Sequence, residues 1–403
     1  MLHPRAIILI VLSLSSFTLA QQQAQTRGGG ERGPNVPDFW VRPGYRVTLA
    51  AEKLGESRFM EFDDKGTLYL SQPGAGSILT LTDKNKPGAY EILGKFITGN
   101  KTAHGMCWHD GWLYFSQSGA IHKARDTNGD GVADETITII PEDSLPRGGG
   151  HWWRSILVTD DSIYTSIGDS TNLTDETTSA PERQKIWKFD LEGKNKKLFA
   201  SGVRNTEKLR IRPGTKEIYG CDHGSDNFGL PLGEKKGYQP LTDMMPPCEF
   251  NHYVEGGFYG HPFVVGNKVP RPEFQKKDDI LDLVQKTIPP EWCFGAHWAP
   301  NGWTFLSKDH FPGHKADAFC ALHGSWNSTL KVGYRVERIL FDPATNKPFG
   351  SQMIVGTLAG DGATVLARPC DCTEAPDGAI LFTCDQTKKI FRISRTTASA
   401  SAN

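Results

Sequence analysis

From about residue 41 to residue 393, the chain repeats a short motif of apolar and polar positions. Each copy has two segments rich in β-branched and aromatic residues, separated by a turn that contains Asp, Asn or Gly. In residues 108–116, for example, Asp110-Gly111 precedes the apolar segment Trp112-Leu113-Tyr114-Phe115. Asp-Gly is a preferred pair in hairpin turns, because these turns require positive φ. The motif therefore predicts repeated β-hairpins.

The hairpin motif occurs six times, with turns at positions 66, 111, 162, 216, 302 and 378. A four-stranded propeller blade needs about 45 residues, and no two turns are closer than that. The sequence therefore predicts an all-β fold, a six-bladed β-propeller with loop insertions, over residues 40–395. A sandwich of two sheets is the alternative. In the fifth copy, the segment after the turn is also a candidate inner strand, and residues 280–284 are a candidate short helix.

The two ends of the chain differ from the repeat region. Residues 1–20 combine a positive start, an apolar stretch and a Thr18-Leu19-Ala20 end, which is typical of a secretory signal peptide. Residues 21–39 are rich in Gln, Gly and Arg and predict a disordered linker, and residues 396–403 predict a disordered tail. No later segment has about 18 consecutive apolar residues, so we expect no membrane span. The expected location is outside the cell or in the periplasm.

Charge and cysteine content narrow the classes of partner. Lys and Arg number 45 against 46 Asp and Glu, so the charge balance gives no reason to expect a nucleic-acid partner. Eight Cys in an exported chain are candidates for disulfides. Cys372 and Cys384 flank the Asp377-Gly378 turn, so one possible pair lies across that hairpin. Buried reduced thiols are the alternative.

The reactive side chains occupy equivalent positions in the repeats. The innermost strand of each blade lines a central channel, so residues just before these strands and just after the second strands should meet at one channel mouth. That mouth lies opposite the hairpin turns. We expect His151, which follows a glycine run, to act there as a base. The residues before the inner strands are His104, His151, Arg204, His297 and Arg368, and those after the second strands are Asp169, Asp222, His223, His323 and Asp385.

These residue types suit a particular ligand chemistry. Arg204 and Arg368 are suited to a multiply anionic ligand, because guanidinium groups grip carboxylates. Trp326 is suited to a flat ring. The backbone carbonyls of Gly224 and Ser225 are candidate ligands for Ca²⁺, a cation that accepts such oxygens readily. Each side chain also has a structural interpretation, in core packing or in bonding to the backbone.

A second calcium candidate lies in residues 126–134. Its oxygen-bearing side chains occupy positions 1, 3, 5 and 9 of a calcium-loop pattern, with a glycine at position 6 and Ile137 in place of the usual Glu at position 12. A polar turn between blades two and three is the alternative. If the loop binds metal, we expect it to stabilise the fold. The candidate ligands are Asp126, Asn128, Asp130 and Asp134.

Several segments together resemble the glucose/sorbosone dehydrogenase family, and more closely its sorbosone and pyranose dehydrogenase branch than soluble glucose dehydrogenase. The resemblance covers about residues 40–395. The segments that carry it are 151–169, Gly202-Val203-Arg204-Asn205, Asp222-His223-Gly224-Ser225, residues 321–327 with Gly333-Tyr334, and Ala367-Arg368-Pro369.

The resemblance implies a six-bladed, secreted quinoprotein that uses pyrroloquinoline quinone (PQQ) and Ca²⁺. It implies oxidation of an aldose, pyranose or sorbosone-like sugar by hydride transfer, with a cytochrome or quinone as the external electron acceptor. His151 takes the position of the family's base, and Arg204 the position beside the quinone oxygen. Gly224 and Ser225 match the backbone ligands of the catalytic Ca²⁺. The residues near cofactor-contacting positions are His104, Asn205, Trp326, Lys331 and Arg368.

The chain departs from the family pattern at two points. The family's Arg-Asn-Pro-Gln is Arg204-Asn205-Thr206-Glu207 here, and its Gly-Pro is Gly224-Ser225. Glu207 places a carboxylate near a cofactor that is itself a tricarboxylate. Two alternative functions stay open from the sequence: a calcium-dependent lactonase or esterase on a six-bladed propeller, and a non-catalytic propeller that binds carbohydrate.

Overall fold

The computed structural model describes residues 28–175, 180–311, 313 and 315–396. The predicted signal peptide, residues 1–20, lies outside this part of the chain, and so do most of the predicted tail and the first part of the linker. Within the described residues, the strands form six sheets of four or five strands and one two-stranded ribbon. The predicted six-bladed β-propeller is confirmed.

The chain begins with three strands that join the last two blades rather than the first. They are β1 (Glu31–Arg32), β2 (Trp40–Val41) and β3 (Tyr45–Ala51). Blades 1 to 3 then follow, each from the inner strand outward. Their strands are β4 (Met60–Phe62), β5 (Leu68–Gln72), β6 (Ser77–Thr82) and β7 (Glu91–Ile97); β8 (Met106–His109), β9 (Trp112–Ser116), β10 (Ile121–Arg125) and β11 (Glu135–Ile140); and β12 (Leu157–Val158), β13 (Ile163–Ile167), β14 (Lys185–Phe189) and β15 (Lys197–Ser201).

Blade 4 carries the long insertions. It contains β16 (Thr206–Ile211), β17 (Ile218–Asp222), β18 (Pro247–Tyr253) and β22 (Trp292–Ala296). Two 3-10 helices (Leu230–Leu232 and Pro272–Phe274), β19 (Gly257–Phe258), β20 (Val264–Val265), β21 (Val269–Pro270) and α1 (Ile280–Lys286) lie in its insertions. The short helix predicted at residues 280–284 is therefore present. Blade 5 contains β23 (Pro300–Phe305), β24 (Ala318–Leu322), β25 (Arg335–Phe341) and β26 (Pro348–Gly356), and blade 6 contains β27 (Pro369–Glu374), β28 (Ile380–Cys384) and β29 (Lys389–Arg395).

The two ends of the described chain close the ring. Strand β3 pairs antiparallel with β29 and so supplies the outer strand of blade 6. Strand β2 extends blade 5 at β26, and β1 adds in parallel to β3. The composition predicts a disordered linker up to residue 39, whereas Phe39 is fully buried against Phe382 and Phe391. These aromatic contacts of Phe39 attach the end of the 28–39 segment to the propeller.

Five of the six predicted hairpin turns lie between the first and second strands of a blade. The turn predicted at Gly302 is wrong, because Gly302 lies inside the inner strand β23. A Cβ at Gly302 would lie only 2.0 Å from the Asp371 Oδ1 atom. The glycine therefore allows close packing of β23 against β27, and the chain turns after Phe305 instead.

A buried ion pair crosses the centre of the ring below the channel mouth. The Lys208 Nζ atom on β16 donates to both carboxylate oxygens of Asp371 on β27, at 2.6 and 2.8 Å. The backbone N–H of Met60 on β4 donates to Asp371 Oδ2 at 2.7 Å. Both charged side chains are almost completely inaccessible to solvent. The pair therefore links the inner strands of blades 4, 6 and 1.

All eight cysteines are free, and seven of them are buried. The suggested Cys372–Cys384 disulfide is wrong. Across the hairpin Cys372 faces Phe382, so Cys384 lies two residues further along β28, where it faces Pro369 after a bulge. The sulfur atoms of Cys221 and Cys320, in neighbouring blades, lie 4.0 Å apart, which is too far for a disulfide bond. Among the described helices, none has both the length and the apolar character that crossing a membrane requires.

Candidate active site at the channel mouth

A cavity of about 440 Å³ lies at the end of the channel opposite the hairpin turns. Its walls come from the connections that lead into the inner strands and out of the second strands, as the repeat pattern predicts. It brings His151, Arg204 and Arg368 together although they are far apart in sequence. Its other polar and aromatic lining residues are Arg58, Trp153, Thr171, Asn172, Glu207, His223, Asp226, His297, Asn301, His323, Ser325 and Trp326.

His151 is held in one orientation by the backbone. Its Nδ1 atom lies 2.9 Å from the Asp169 carbonyl oxygen, which can only accept, so Nδ1 carries the proton. The neutral ring then has its lone pair on Nε2, and no described residue hydrogen-bonds that atom. Burial and the charge of Arg204 lower the pKa of His151 to about 3. The imidazole is therefore in its basic form at neutral pH.

The loop that carries the Asp169 carbonyl is itself fixed by the Asp169 side chain. Asp169 Oδ2 lies 2.7 Å from His261 Nε2, and the carboxylate also accepts the backbone N–H groups of Thr171 and Thr174. Burial alone would raise the pKa of Asp169, but the hydrogen bond from His261 and the other donors lower it strongly. The carboxylate stays ionised and anchors the loop behind His151.

Arg204 lies next to His151 and is nearly buried. Gly168 packs against both: a Cβ there would lie 2.5 Å from the Arg204 carbonyl oxygen and 2.8 Å from His151 Cβ. The guanidinium donates to the carbonyl and side-chain oxygens of Asn172, at 3.0 and 2.8 Å. Its nearest recorded carboxylate, Asp226, is 3.7 Å away. Its charge is therefore only partly compensated.

Arg368 and Trp326 line the cavity from blades 5 and 6. Arg368 donates to the carbonyl oxygens of His323 and Gly324, at 3.2 and 3.1 Å, and has no carboxylate partner among the described residues. Trp326 is 76 % exposed, which is unusual for such a large apolar side chain. The cavity thus offers two guanidinium groups bonded mainly to neutral oxygens, and one uncovered aromatic ring.

Three other predicted contact residues do not line the cavity. His104 is fully buried between the rings of Phe59 and Trp153, with centroids 4.1 and 4.4 Å away. Burial and the charge of Arg58 lower its pKa well below the usual value. Asn205 is buried and donates hydrogen bonds to Glu207 and His223, which do line the cavity. Lys331 is exposed and lies outside the cavity.

The candidate backbone ligands of Ca²⁺ lie at one side of the cavity. Gly224 lines it, and Ser225 lies just behind, where its hydroxyl accepts a hydrogen bond from Arg271 at 2.7 Å. No described residue donates a hydrogen bond to the carbonyl oxygen of Gly224 or Ser225. Across the described ranges, no group of three His, Cys, Asp or Glu side chains is arranged to hold a metal ion. A cation here would therefore depend on backbone oxygens.

The loop at residues 126–134 does not gather its carboxylates around one point. Asp126 accepts the backbone N–H groups of Asn128, Gly129 and Gly131, and Asp134 accepts the backbone and hydroxyl of Thr127. The Gly131 carbonyl accepts a hydrogen bond from Thr80 of blade 1, at 2.8 Å. The loop is therefore a polar turn, as in the alternative interpretation, but it lies within blade 2, between β10 and β11, rather than between blades two and three.

The wall of the cavity contains an ionic network that was not predicted from the sequence. Arg58 donates to Glu207 at 3.2 Å and to Asp385 at 3.0 Å, and it lies over the Trp153 ring at 4.4 Å. His323 Nε2 binds Asp385 at 3.0 Å. Arg58 precedes the inner strand β4, the same position in its blade that Arg204 occupies in blade 4, so the repeat alignment contained the signal.

This network sets the protonation of the two acidic groups in the cavity wall. Burial raises the pKa of Glu207, although the nearby Arg58 and Asn205 oppose that shift. Burial also acts to raise the pKa of Asp385, but the hydrogen bond from His323 and the charge of Arg58 outweigh it and hold that pKa at about 2. Burial lowers the pKa of His323 despite its contact with Asp385.

Comparison with known proteins places the chain in a family. A family model described as TrAA12-like matches residues 39–396. The chain belongs to the TrAA12-like family. An uncharacterized protein of Borreliella burgdorferi (strain B31) is 30% identical over an alignment of 407 positions that covers 96% of each chain.

Solved structures share the fold of this TrAA12-like protein at low identity. An iodide structure of the family AA12 carbohydrate-active enzyme of Trichoderma reesei has a TM-score of 0.75 at 18% identity, covering 89% of this chain and 98% of the other. The holo form of the pyranose dehydrogenase PQQ domain of Coprinopsis cinerea has a TM-score of 0.74 at 17% identity, covering 90% and 100%. The PQQ-bound aldose sugar dehydrogenase of Streptomyces coelicolor has a TM-score of 0.58 at 15% identity, covering 88% and 99%. The family predicted from the motifs is confirmed.

Proposed function

We propose that this TrAA12-like protein is a PQQ-dependent dehydrogenase that oxidises a hydroxyl group of a sugar, an aldose, pyranose or sorbosone-like compound. One observation carries the proposal. His151 has a fixed tautomer with a free basic nitrogen, and it shares its cavity with Arg204 and Arg368, whose hydrogen bonds go to neutral oxygens. A base beside cationic groups that are at most partly compensated suits an acidic cofactor and an alcohol substrate.

The cavity fits PQQ in its donor set. PQQ is planar and carries three carboxylates, and the cavity offers guanidinium donors together with the exposed Trp326 ring. Bound there with Ca²⁺, PQQ would supply the acceptor for the hydride of the substrate carbon. Gly224 and Ser225 would hold the Ca²⁺ through their carbonyl oxygens. The residues proposed to bind the cofactor directly are Arg204, Trp326 and Arg368, with His104 and Asn205 as supporting residues. Lys331, the sixth residue that the resemblance implies, lies outside the cavity and would have to move to contact the cofactor.

His151 performs the proton transfer in this proposal. Its Nε2 lone pair accepts the proton of the substrate hydroxyl, while the Asp169 carbonyl holds the Nδ1 proton and keeps the ring from turning. Arg204 stabilises negative charge that develops on the adjacent oxygen. The low pKa of His151 keeps the ring unprotonated before the substrate arrives, at the cost of weaker basicity.

Export and electron transfer are part of the same proposal. Residues 1–20 carry the pattern of a secretory signal, so we propose an extracellular or periplasmic location. A cytochrome or quinone would then accept the electrons. The Asp126, Asn128, Asp130 and Asp134 loop remains a proposed structural Ca²⁺ site only if metal binding rearranges its hydrogen bonds.

The two alternatives have less support. A lactonase or esterase on a propeller needs several side-chain oxygens around a channel metal, whereas the described residues contain no such group of three. A purely carbohydrate-binding propeller would have no use for a histidine with a prearranged free nitrogen. Neither alternative has an observation in its favour at this cavity.

Reconstitution tests the proposal directly. The purified protein is mixed with PQQ and Ca²⁺, binding is measured by equilibrium dialysis, and a panel of aldoses is added without oxygen while the quinone absorbance is followed. We expect binding of PQQ and bleaching by at least one sugar. Arg204→Gln should weaken PQQ binding, and His151→Gln should keep binding but slow bleaching by about 10²-fold or more. Lys216→Gln, on the opposite face, is the control. Absence of PQQ binding in the wild-type protein would overturn the proposal.

A further inference from the structure

A second cavity of about 440 Å³ lies on the other face of the propeller, where the hairpin turns are. It is formed by the first turns of blades 6, 1 and 2 and by the segment between β6 and β7. It is separated from the channel mouth by the full length of the inner strands and by the buried Lys208–Asp371 pair. Of the candidate ligands named above, only Asp126 of the 126–134 loop lines this cavity. Its aromatic lining residues are Tyr69, Tyr90 and Trp108.

Two tyrosine hydroxyls in this cavity have no partner. Tyr69 is 3% exposed and Tyr90 is 6% exposed, yet no described residue hydrogen-bonds either hydroxyl. Neither hydroxyl is fully enclosed by protein, so each is open to the cavity and to water. Burial raises the pKa of both phenols, so both stay neutral at physiological pH. Two neutral hydroxyl groups in one cavity wall therefore have free hydrogen-bonding capacity.

Four carboxylates around the same cavity have no cationic partner. Asp63 accepts the backbone N–H groups of Lys65 and Thr67, Asp64 accepts the Trp108 indole N–H at 2.8 Å, and Asp83 accepts the Gly88 N–H at 2.8 Å. The fourth, Asp126, bonds only to N–H groups of its own loop. Within the described residues, no Lys, Arg or His nitrogen lies within 4 Å of these four carboxylates.

The two lysines in the cavity wall offset only part of this negative charge. Lys65 and Lys84 are exposed, and neither forms an ion pair with any described carboxylate. The fifth carboxylate of the wall, Asp377, is already paired with Arg392. The cavity therefore carries an excess of negative charge, spread over its rim rather than gathered at one point.

The distribution of these charges selects the kind of cation. A metal ion needs several ligands converging within about 2.5 Å, and no group of three acidic or metal-binding side chains in the described chain does so. A larger cation with N–H donors and an apolar body can instead reach dispersed carboxylates and the two phenol oxygens. The Trp108 ring, stacked on Tyr69 at a centroid distance of 5.9 Å, adds an aromatic surface of the kind that ammonium groups favour.

We propose that this turn-face cavity binds an organic cation, a small molecule that bears one or more protonated amines. Its ammonium groups contact the carboxylates of Asp63, Asp64 and Asp83, and Tyr69 and Tyr90 accept N–H groups through their free oxygens. The site is independent of the proposed dehydrogenase activity, because the two cavities lie at opposite ends of the ring.

Calorimetric titration of the cofactor-free protein tests this site. The probes are spermidine, glucosamine, its uncharged counterpart glucose, and Ca²⁺. We expect spermidine and glucosamine to bind, with an affinity that falls as salt is raised, and glucose to bind at least about tenfold more weakly than glucosamine. Tyr69→Phe and Tyr90→Phe should each weaken amine binding about fivefold, the effect of one lost hydrogen bond.

The controls separate this site from the channel mouth and from misfolding. Arg204→Gln should leave amine binding unchanged. Because the tyrosine hydroxyls have no partner in the fold, both Phe variants should unfold at the wild-type temperature. Equal binding of glucose and glucosamine would replace the proposal with a neutral carbohydrate site, and competition by Ca²⁺ at equal concentration would replace it with a metal site. No amine binding at about 10 mM would overturn it.

Discussion

His223 provides a direct test of how the fold keeps its histidines uncharged. Its Nε2 atom lies 3.1 Å from the Pro300 carbonyl oxygen, so Nε2 carries the proton. Its Nδ1 atom lies 3.2 Å from the Asn205 amide nitrogen, which donates to it. If Nδ1 were protonated, its N–H would face the N–H of the Asn205 amide, and two donors would oppose each other. Burial and the charge of Arg204 lower the pKa of His223 to about 3, from a usual value of about 6.5.

The sign of the effect follows from proton uptake. Because the folded-state pKa is depressed, the unfolded chain binds a proton at His223 between pH 6.5 and pH 3 and the folded chain does not. The stability that this histidine contributes is thus fully present above pH 6.5 and is lost as pH falls towards 3. Integrating the proton uptake of one such group from pH 7 to pH 5 gives a loss of about 2 kcal/mol.

His223→Gln removes this titration while keeping a donor for Pro300. Urea unfolding of wild type and variant at pH 7 and pH 5 gives the change in their stability difference, in which the other titrating groups cancel. We expect the variant to gain about 2 kcal/mol relative to wild type on going to pH 5. His151→Gln, with a similarly lowered pKa, serves as a second measurement and should behave alike. A stability difference that stays the same at both pH values would refute the reasoning.

Three further outcomes follow from the packing and charges. In thermal unfolding, Gly302→Ala should lower the stability of the fold by about 3 kcal/mol or prevent folding, because its Cβ would collide with Asp371. Gly350→Ala is the control: its Cβ would have its nearest neighbour 3.6 Å away, so its stability should differ from that of the wild type by less than about 0.5 kcal/mol. Lys208→Met leaves the buried Asp371 carboxylate unpaired and should cost about 3–5 kcal/mol in urea unfolding, part of which Asp371→Leu should restore. Glu207→Gln removes a carboxylate from the candidate cofactor cavity and should tighten PQQ binding about tenfold in equilibrium dialysis; weaker binding would show that Glu207 instead orders the site.

The repeat pattern predicted the fold because each blade repeats the same local chemistry. Turn residues such as Asp110-Gly111 mark where the first two strands join, and the apolar segments on either side have the length of a strand. The pattern failed at Gly302, where a glycine serves close packing between inner strands rather than a turn. A single sequence does not distinguish these two uses, because the neighbour that requires the glycine, Asp371, lies 69 residues further along the chain.

The candidate site could be predicted in part from the sequence for the same reason. Position relative to the inner strand was enough to bring His151, Arg204 and Arg368 to one cavity. Position in the repeat does not show which way a side chain points. His104 was therefore expected to contact the cofactor, whereas its side chain is buried between two aromatic rings. The Arg58 network was missed because its partners come from blades 4 and 6, and such contacts depend on ring closure.

That closure by β3 and β29 has a consequence for biosynthesis. The partner strands of blade 6 are the last part of the repeat region to be translated, so β3 leaves the ribosome with an open hydrogen-bonding edge that no earlier strand can cover. The nascent chain therefore exposes an unpaired β-strand edge for most of its translation. That edge is a specific segment for a chaperone to bind. A circular permutant that starts between β7 and β8, with the present ends linked, would make β3 and β29 nearly simultaneously and should aggregate less during expression.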